Sequence, residues 1–388
     1  MPNNTASRPD HASIRRDRRD GRRAAAIERV RAVAEAAGVP GVVLTRPGPV
    51  AWASGGANPP VDRTAPVDTV WLAVSADVLT LITTAVEAPR IRAELVPDDV
   101  EVVAVPWWDA DALVAAAAGV LGASAEALGA DGHPAFGRDL DHELAVARLP
   151  LSPPERDDLR ELGRDAAAAV EAALRAWQPG EPDRAIAARI AAGVEAAGAD
   201  APCLLVGGDE RLAAFRHPVA DGSRPRRTVM AVLVARRDGL HVALTRHAAT
   251  AVGPDLQRGL AACREIHRGV LAACWPGATF GDALAALADG YAAAGAPDEW
   301  RAHYQGGPIG FGQREFEIAP CQTDSPWWRA PIGAGVAVAW NPSLPGGAKD
   351  EDTYLLGADG PELVTATGAW PLADDAGLPR PAVLEAAA

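Results

Sequence analysis

Val229-Met230-Ala231-Val232-Leu233-Val234, the turn Arg237-Asp238-Gly239 and the run Leu240-His241-Val242-Ala243-Leu244-Thr245 stand in succession near the middle of the chain. Branched and apolar residues flank an Asp-Gly pair suited to a tight turn, so the stretch reads as two strands joined by that turn. Around it the period changes. Upstream, Glu155–Trp177 and Asp183–Ala197 are long Ala-rich helical segments, with Ser152 placed to begin the first and Pro179-Gly180 separating the pair. A short β-type run, Cys203–Val206, follows them. Downstream come helices over 255–275 and 281–294, then a mostly β final third with clear strands at Val336–Trp340 and Thr353–Leu356. Helix pairs followed by a curved antiparallel sheet indicate an α+β domain of the catalytic type.

The cluster Leu149-Pro150-Leu151-Ser152-Pro153-Pro154 cannot continue a helix and marks a boundary. It separates a smaller domain over 24–149 from a larger one over 150–388. In the smaller domain Ala24–Ala37 is helical, with Ile27, Val30 and Val33 on one face and a stop at Gly38-Val39-Pro40. Strand patterns follow at 41–45, 69–74, 79–84 and 100–105. Helices are expected over Ala110–Leu121, with Asp109 as its cap, and over His142–Ala147. That alternation indicates an α/β layer domain. Residues 1–23 carry Arg15, Arg16, Arg18, Arg19, Arg22 and Arg23, interrupted by Asp10, Asp17 and Asp20. They read as a flexible, solvated arm.

Composition removes several classes of function. With 37 basic against 51 acidic side chains the formal charge is −14, which disfavours an extended nucleic-acid-binding face. No apolar run approaches the ~20 residues that span a bilayer. The N-terminus has no apolar core of a secretory signal, and a cytoplasmic location is expected. Cys203, Cys263, Cys274 and Cys321 form no C-x-x-C pair and read as reduced thiols. Lys349 is the one lysine among many arginines, a bias read as the mark of a GC-rich coding sequence.

Five segments then fall in a recognisable order: Phe215-Arg216-His217-Pro218, Asp238-Gly239-Leu240-His241-Val242-Ala243-Leu244-Thr245-Arg246, Gly306-Gly307-Pro308-Ile309-Gly310 with Arg314-Glu315, Trp340-Asn341-Pro342, and Glu351-Asp352-Thr353. In this order they resemble the pita-bread family of creatinase, prolidase, aminopeptidase P and methionine aminopeptidase. Residues 24–148 resemble the creatinase-type N-terminal domain. The resemblance implies a C-terminal pita-bread domain preceded by a smaller α/β domain. It also implies a homodimer in which the N-terminal domain of one chain approaches the site of the other.

Metal-dependent members of that family hold two divalent ions with two aspartates, a histidine and two glutamates, a donor set suited to such cations. Matched residue by residue, those positions are Val232, Ala243, Gly307, Asn341 and Glu351, so only Glu351 retains a ligand carboxylate. Arg314 stands where the family has a second catalytic histidine, and arginine cannot exchange protons near neutral pH. No metal and no cofactor is therefore expected. The resemblance makes His217, Glu315 and Glu351 the catalytic candidates, and Arg314, Asn341, His303 and Tyr304 the substrate-binding ones.

Without cations the two glutamates must pair with Arg314, bind a cationic group or share protons. The expected ligand is thus a small molecule, zwitterionic in one version, with Arg314 taking its carboxylate. Two functions stay open: a metal-independent, creatinase-like enzyme cleaving a C–N bond by acid–base chemistry, and a catalytically inactive module binding a peptide or protein. His241 and His247 have no family role. Trp107-Trp108 and Trp327-Trp328 read as interface or core packing, or as substrate walls.

Overall fold

A computed structural model describes residues 11–57, 61–96, 100–109, 111–318, 323–373 and 378–386, with side chains from residue 18 onward. Cys321 lies outside the described residues. The chain divides into two compact units, Met1–Arg148 and Leu149–Ala388.

The first unit is built on a six-stranded sheet in the order Glu101–Val105, Leu79–Thr84, Val70–Val74, Val42–Leu44, Gly129–Ala130, Arg138–Asp139. Its centre is antiparallel, while Glu101–Val105 and the two short strands at the other edge join in parallel. Helix Ala112–Leu121 lays Leu113, Ala117 and Leu121 against Val43, Trp71 and Ile82. Its N-cap position is Asp111 rather than the expected Asp109, whose carboxylate instead accepts the Asp111 N–H at 3.1 Å.

Residues 1–10 of the expected solvated arm lie outside the described residues, and over 11–23 the structure differs from that expectation. A single helix runs His11–Ala37, and arginine is a good helix former. Asp20 and Arg23 pair along it at 3.2 Å. Arg22 is fully buried, beneath the Gly55-Gly56 turn, where a Cβ on Gly56 would lie 2.7 Å from its guanidinium. The aliphatic stem of arginine packs like an apolar side chain, a contact that composition does not reveal.

In the second unit the Asp238-Gly239 turn closes a hairpin between Thr228–Arg237 and Leu240–Ala249. Both turn residues have positive φ, 49° and 81°, the geometry that Asp-Gly supplies in a two-residue turn. Asp200–Gly208 pairs with the first strand and Leu384–Glu385 with the second, giving a four-stranded sheet. A second four-stranded sheet holds Gly306–Ile309, Ala337–Trp340, Tyr354–Gly357 and Gly360–Leu363 in that order. Helix Pro153–Arg175 begins at Ser152, whose N–H donates to the Glu155 carboxylate at 2.6 Å. Helices Asp183–Ala196, Pro254–Ala273 and Phe280–Ala293 complete the unit. Among the described residues no helix is long and apolar enough to cross a membrane.

Candidate active site

The strand register places the first two positions where the family resemblance puts metal ligands. Leu205, Val232 and Thr245 pair across three strands, as do Cys203, Val234 and Ala243. Residues that are paired, or two apart along a strand, present to the same face of a sheet. Val232 is buried there in an apolar cluster with Leu212, Met230 and Leu205. Hydrocarbon thus occupies the place where a carboxylate would approach a cation.

The third position, Gly307, has φ +132°, a conformation that residues with a Cβ rarely adopt. Gly306, at φ +81°, lies so near the neighbouring strand that a Cβ would stand 2.0 Å from the Ala339 oxygen. This backbone is shaped for glycine and not for a histidine ligand.

Glu351, the surviving carboxylate, is 5% exposed. Thr245 Oγ1 donates to its Oε2 at 2.7 Å. The Asn341 amide nitrogen faces Oε1 at 3.3 Å; turned over, it donates instead to the Tyr304 and Gln305 carbonyls at 2.8 and 3.2 Å. The Lys349 ammonium lies 3.6 Å from Oε2, and Lys349 too is 5% exposed. Residues two apart on extended chain share a side, so Lys349 and Glu351 meet while Asp350 and Asp352 turn away. Asp352 accepts from Arg246 at 2.9 Å and from Thr365 at 2.7 Å. Thr353 Oγ1 accepts from the Ala243 N–H at 2.8 Å and donates to the Ala243 carbonyl at 3.0 Å. The 243–246 and 351–353 segments are therefore two halves of one joint, with Ala243 tied to Thr353, Thr245 to Glu351 and Arg246 to Asp352.

A cleft of about 230 Å³ is walled by residues including Phe215, Arg216, Met230, Ser343 and Lys349. His217 follows directly on the Phe215-Arg216 wall. Burial lowers its pKa below the ordinary histidine value, Lys349, Arg314 and Arg216 push the same way, and Glu351 opposes them. His217 is thus a neutral base near pH 7 within the field of the Lys349–Glu351 pair. His303 is pushed down to about 3, first by burial and then by Lys349. It lies 2.9 Å from Ser343 Oγ through Nε2 and 2.7 Å from the Tyr304 carbonyl through Nδ1. Arg216 pairs with Glu299 and donates to Ser343 Oγ at 3.0 Å.

Arg314 is committed differently from the expectation. It stacks over the exposed Tyr304 ring, 4.7 Å from the centroid, and donates to Glu317 at 2.8 Å. The Glu317 carboxyl is pushed up by burial, with Arg314 opposing. Glu315 is buried in the 308–315 turn, where it accepts the Gly312 N–H at 3.1 Å and its own N–H donates to the Pro308 carbonyl at 3.0 Å. Glu351, His217, His303, Arg314 and Asn341 are linked by these contacts and fields, while the Glu315 contacts described lie within its own turn.

His241 and His247 are buried, each held down to about 4 by that burial, and face the carbonyls of Gly310 and Gly347 at 3.1 and 3.0 Å. Trp327 stacks on Phe316 at 4.6 Å, whereas Trp107 and Trp108 are exposed.

Three side chains near the site have no site role in the sequence analysis. Lys349 reads there as composition, although a sole lysine two residues before the retained glutamate is itself a signal. Glu317 stands three residues after Arg314, an ordinary ion-pair spacing. Cys203 is a half-buried free thiol whose pKa is raised by burial and then by Glu351, with Lys349 and Arg314 opposing. Cys263 and Cys274 are buried free thiols.

The donor set does not fit a dinuclear metal site. Three of the five positions offer no ligand atom, and the remaining carboxylate already has an ammonium beside it. Among the described residues no group of three or more His, Cys, Asp or Glu side chains is placed to share an ion.

Comparisons with known proteins agree on the fold. The prolidase from Pyrococcus horikoshii OT3 superposes with a TM-score of 0.69 at 18% identity, covering 88% of this chain and 98% of that one. The dipeptidase PepE from Mycobacterium ulcerans gives 0.69 at 24% identity, covering 93% and 97%. The N-terminal domain of FACT complex subunit SPT16 from Cicer arietinum gives 0.63 at 11% identity, covering 91% and 97%. No curated protein matches by sequence. The sequence profile of metallopeptidase family M24 matches residues 157–357, which is 201 of 388 residues. The chain belongs to metallopeptidase family M24, as a divergent member in which most positions of the metal-ligand set carry other residues.

Proposed function

We propose that this chain is a metal-independent hydrolase that cleaves a C–N bond of a small molecule. The observation that carries the reading is the replacement of the metal pair by a compact organic site. In it Lys349, Glu351 and Thr245 are held together, and the charges of Lys349 and Glu351 act on His217, whose pKa is lowered first by burial. In this reading His217 takes a proton from water as the water oxygen bonds to the substrate carbon. It returns that proton to the leaving nitrogen as the C–N bond breaks. Glu351 stabilises the transient imidazolium. Because Lys349 already balances Glu351 and Glu317 occupies Arg314, a cationic group on the substrate is not required, and a zwitterion would have to displace one of these pairs. The protein works as a homodimer, the commonest closed symmetry, and its free thiols suit a cytoplasmic setting.

The test is a screen of small amides, amidines, guanidines and N-acyl amino acids with chelator present, alongside elemental analysis of protein purified without chelator. Turnover that survives chelation, with well under one ion per chain, supports the reading. One tightly held zinc or manganese per subunit, or activity that vanishes with chelator, overturns it. Sedimentation as a strict monomer at micromolar concentration would overturn the dimer. A second reading, a binding module without turnover, is favoured by the pairing of Arg216 and Lys349 in the cleft wall, and of Arg314 outside it, with carboxylates. Failure of the whole screen together with tight capture of a peptide would establish it.

A further inference from the structure

The Lys349 ammonium has three N–H donors, and among the described residues none makes a hydrogen bond. Its nearest carboxylate oxygen, Glu351 Oε2, is 3.6 Å away, an ion-pair distance too long for a hydrogen bond. The side chain is 95% buried by exposure, yet it forms part of the cleft wall. A buried charge is normally hydrogen-bonded as well as paired, because leaving its donors unmet costs the desolvation free energy outright. The contrast with its surroundings is direct: Arg216 in the same wall donates to both the carbonyl and the hydroxyl of Ser343, and Arg246 behind it donates to Asp352 and to two backbone carbonyls. Arg246 leaves only its Nε without a partner, whereas Lys349 is the one of these three cations that makes no side-chain hydrogen bond at all among the described residues.

We infer that Lys349 is a substrate-anchoring residue whose ammonium binds an oxygen acceptor of the ligand, a carboxylate or a carbonyl, inside the cleft. The inference deepens the proposed function and rests on it for the chemical step only. On that step the fixed ammonium, held in place by Glu351, stabilises negative charge developing on the acyl oxygen, which is the task of a preorganised donor at low dielectric. It does so as a hydrogen-bond donor and forms no covalent bond.

The single lysine makes the experiment clean. Protein prepared with isotopically labelled lysine gives one side-chain resonance, that of Lys349. It is titrated with N-acetylglycine, with N-acetylglycinamide and with tetramethylammonium. A saturable shift with N-acetylglycine alone identifies a carboxylate as the acceptor, and one with both acyl probes identifies the carbonyl. No saturable shift with either acyl probe, or an equal shift with tetramethylammonium, overturns the inference.

Once a substrate is found, Lys349→Met should raise KM or lower kcat by about tenfold or more, as expected for a hydrogen bond to a charged group. Because that variant leaves Glu351 unbalanced, Lys349→Met/Glu351→Gln serves as the neutral control for ligand binding. Unchanged KM and kcat in folded Lys349→Met overturns the anchor while leaving the hydrolase reading intact. A Lys349 resonance that responds to acyl probes in a protein that hydrolyses nothing supports the anchor and removes the hydrolase.

Discussion

Lys349-Asp350-Glu351-Asp352 sends alternate side chains to two regions that share a composition and differ in finish. On the interior side, Asp350 meets Arg380, which also donates to His267 Nδ1 at 2.8 Å and to Tyr354, and Asp352 meets Arg246 and Thr365. On the cleft side, Lys349 and Glu351 stand 3.6 Å apart beside Thr245, with donors to spare. A buried network in which charges are closely hydrogen-bonded holds the sheet together. A buried pair left open is poised for a ligand. Residue type does not separate the two; what does is that each interior charge makes close hydrogen bonds, even with Arg246 Nε, Arg380 Nε, His267 Nε2 and Asp352 Oδ2 left without one, whereas the Lys349 ammonium makes none.

The largest effect expected is on acid stability. His241, His247 and His267 are each held at about 4 by burial, below the 6.5 of an exposed histidine. The unfolded chain therefore binds more protons between those values, so stability is complete above pH 6.5 and is lost as pH falls toward 4. Each pH unit in that window costs about 1.4 kcal/mol per histidine. Asp350, whose pKa is depressed, adds a loss at still lower pH, where its carboxylate protonates. Denaturation midpoints at pH 7, 6 and 5 measure this, and a flat profile would mean these rings are not buried neutral.

Next comes the interior itself. Asp352→Ala leaves Arg246 facing no carboxylate there and should cost about 3–5 kcal/mol. Lys349→Met/Glu351→Gln should cost about 1 kcal/mol or less. Equal losses in chemical denaturation would erase the distinction between the two sides. His217→Ala should cut turnover by about a hundredfold or more with an unchanged melting temperature, while His217→Asn keeps some binding. Near-parental turnover in the folded Ala variant would shift the acid–base role elsewhere. Smallest is Arg314→Lys, which gives up the Tyr304 stack and the guanidinium hydrogen bond to Glu317 at a partly exposed site for under about 1 kcal/mol. A larger loss would make Arg314 part of the core rather than of the rim.

How far the residues alone carried this picture varies with the range of the interaction. The hairpin at 228–249, the helices from 153 and 183, and the capping Ser152 follow from patterns within a few residues, and the structure has them at nearly the expected bounds. The long first helix was shortened because its arginines were weighed as charges and not as packing stems. Glu351 was singled out by its motif. Its partner was missed because an ammonium two residues away reads as composition until the chain is known to be extended there.

Residue order alone therefore settles the family, the sequence of elements and the loss of the metal ligands, since each depends on identity at a position or on periodicity along the chain. The tertiary structure assigns the counter-charges: Lys349 to Glu351, Glu317 to Arg314, Arg246 to Asp352. The tie from Thr245 to Glu351 and the one from Arg246 to Asp352 each span 106 residues. Short spacing makes the Lys349–Glu351 and Arg314–Glu317 pairings possible and the Arg246–Asp352 one is long-range, and in each the distance and the exclusion of water that decide the pairing come from the folded chain.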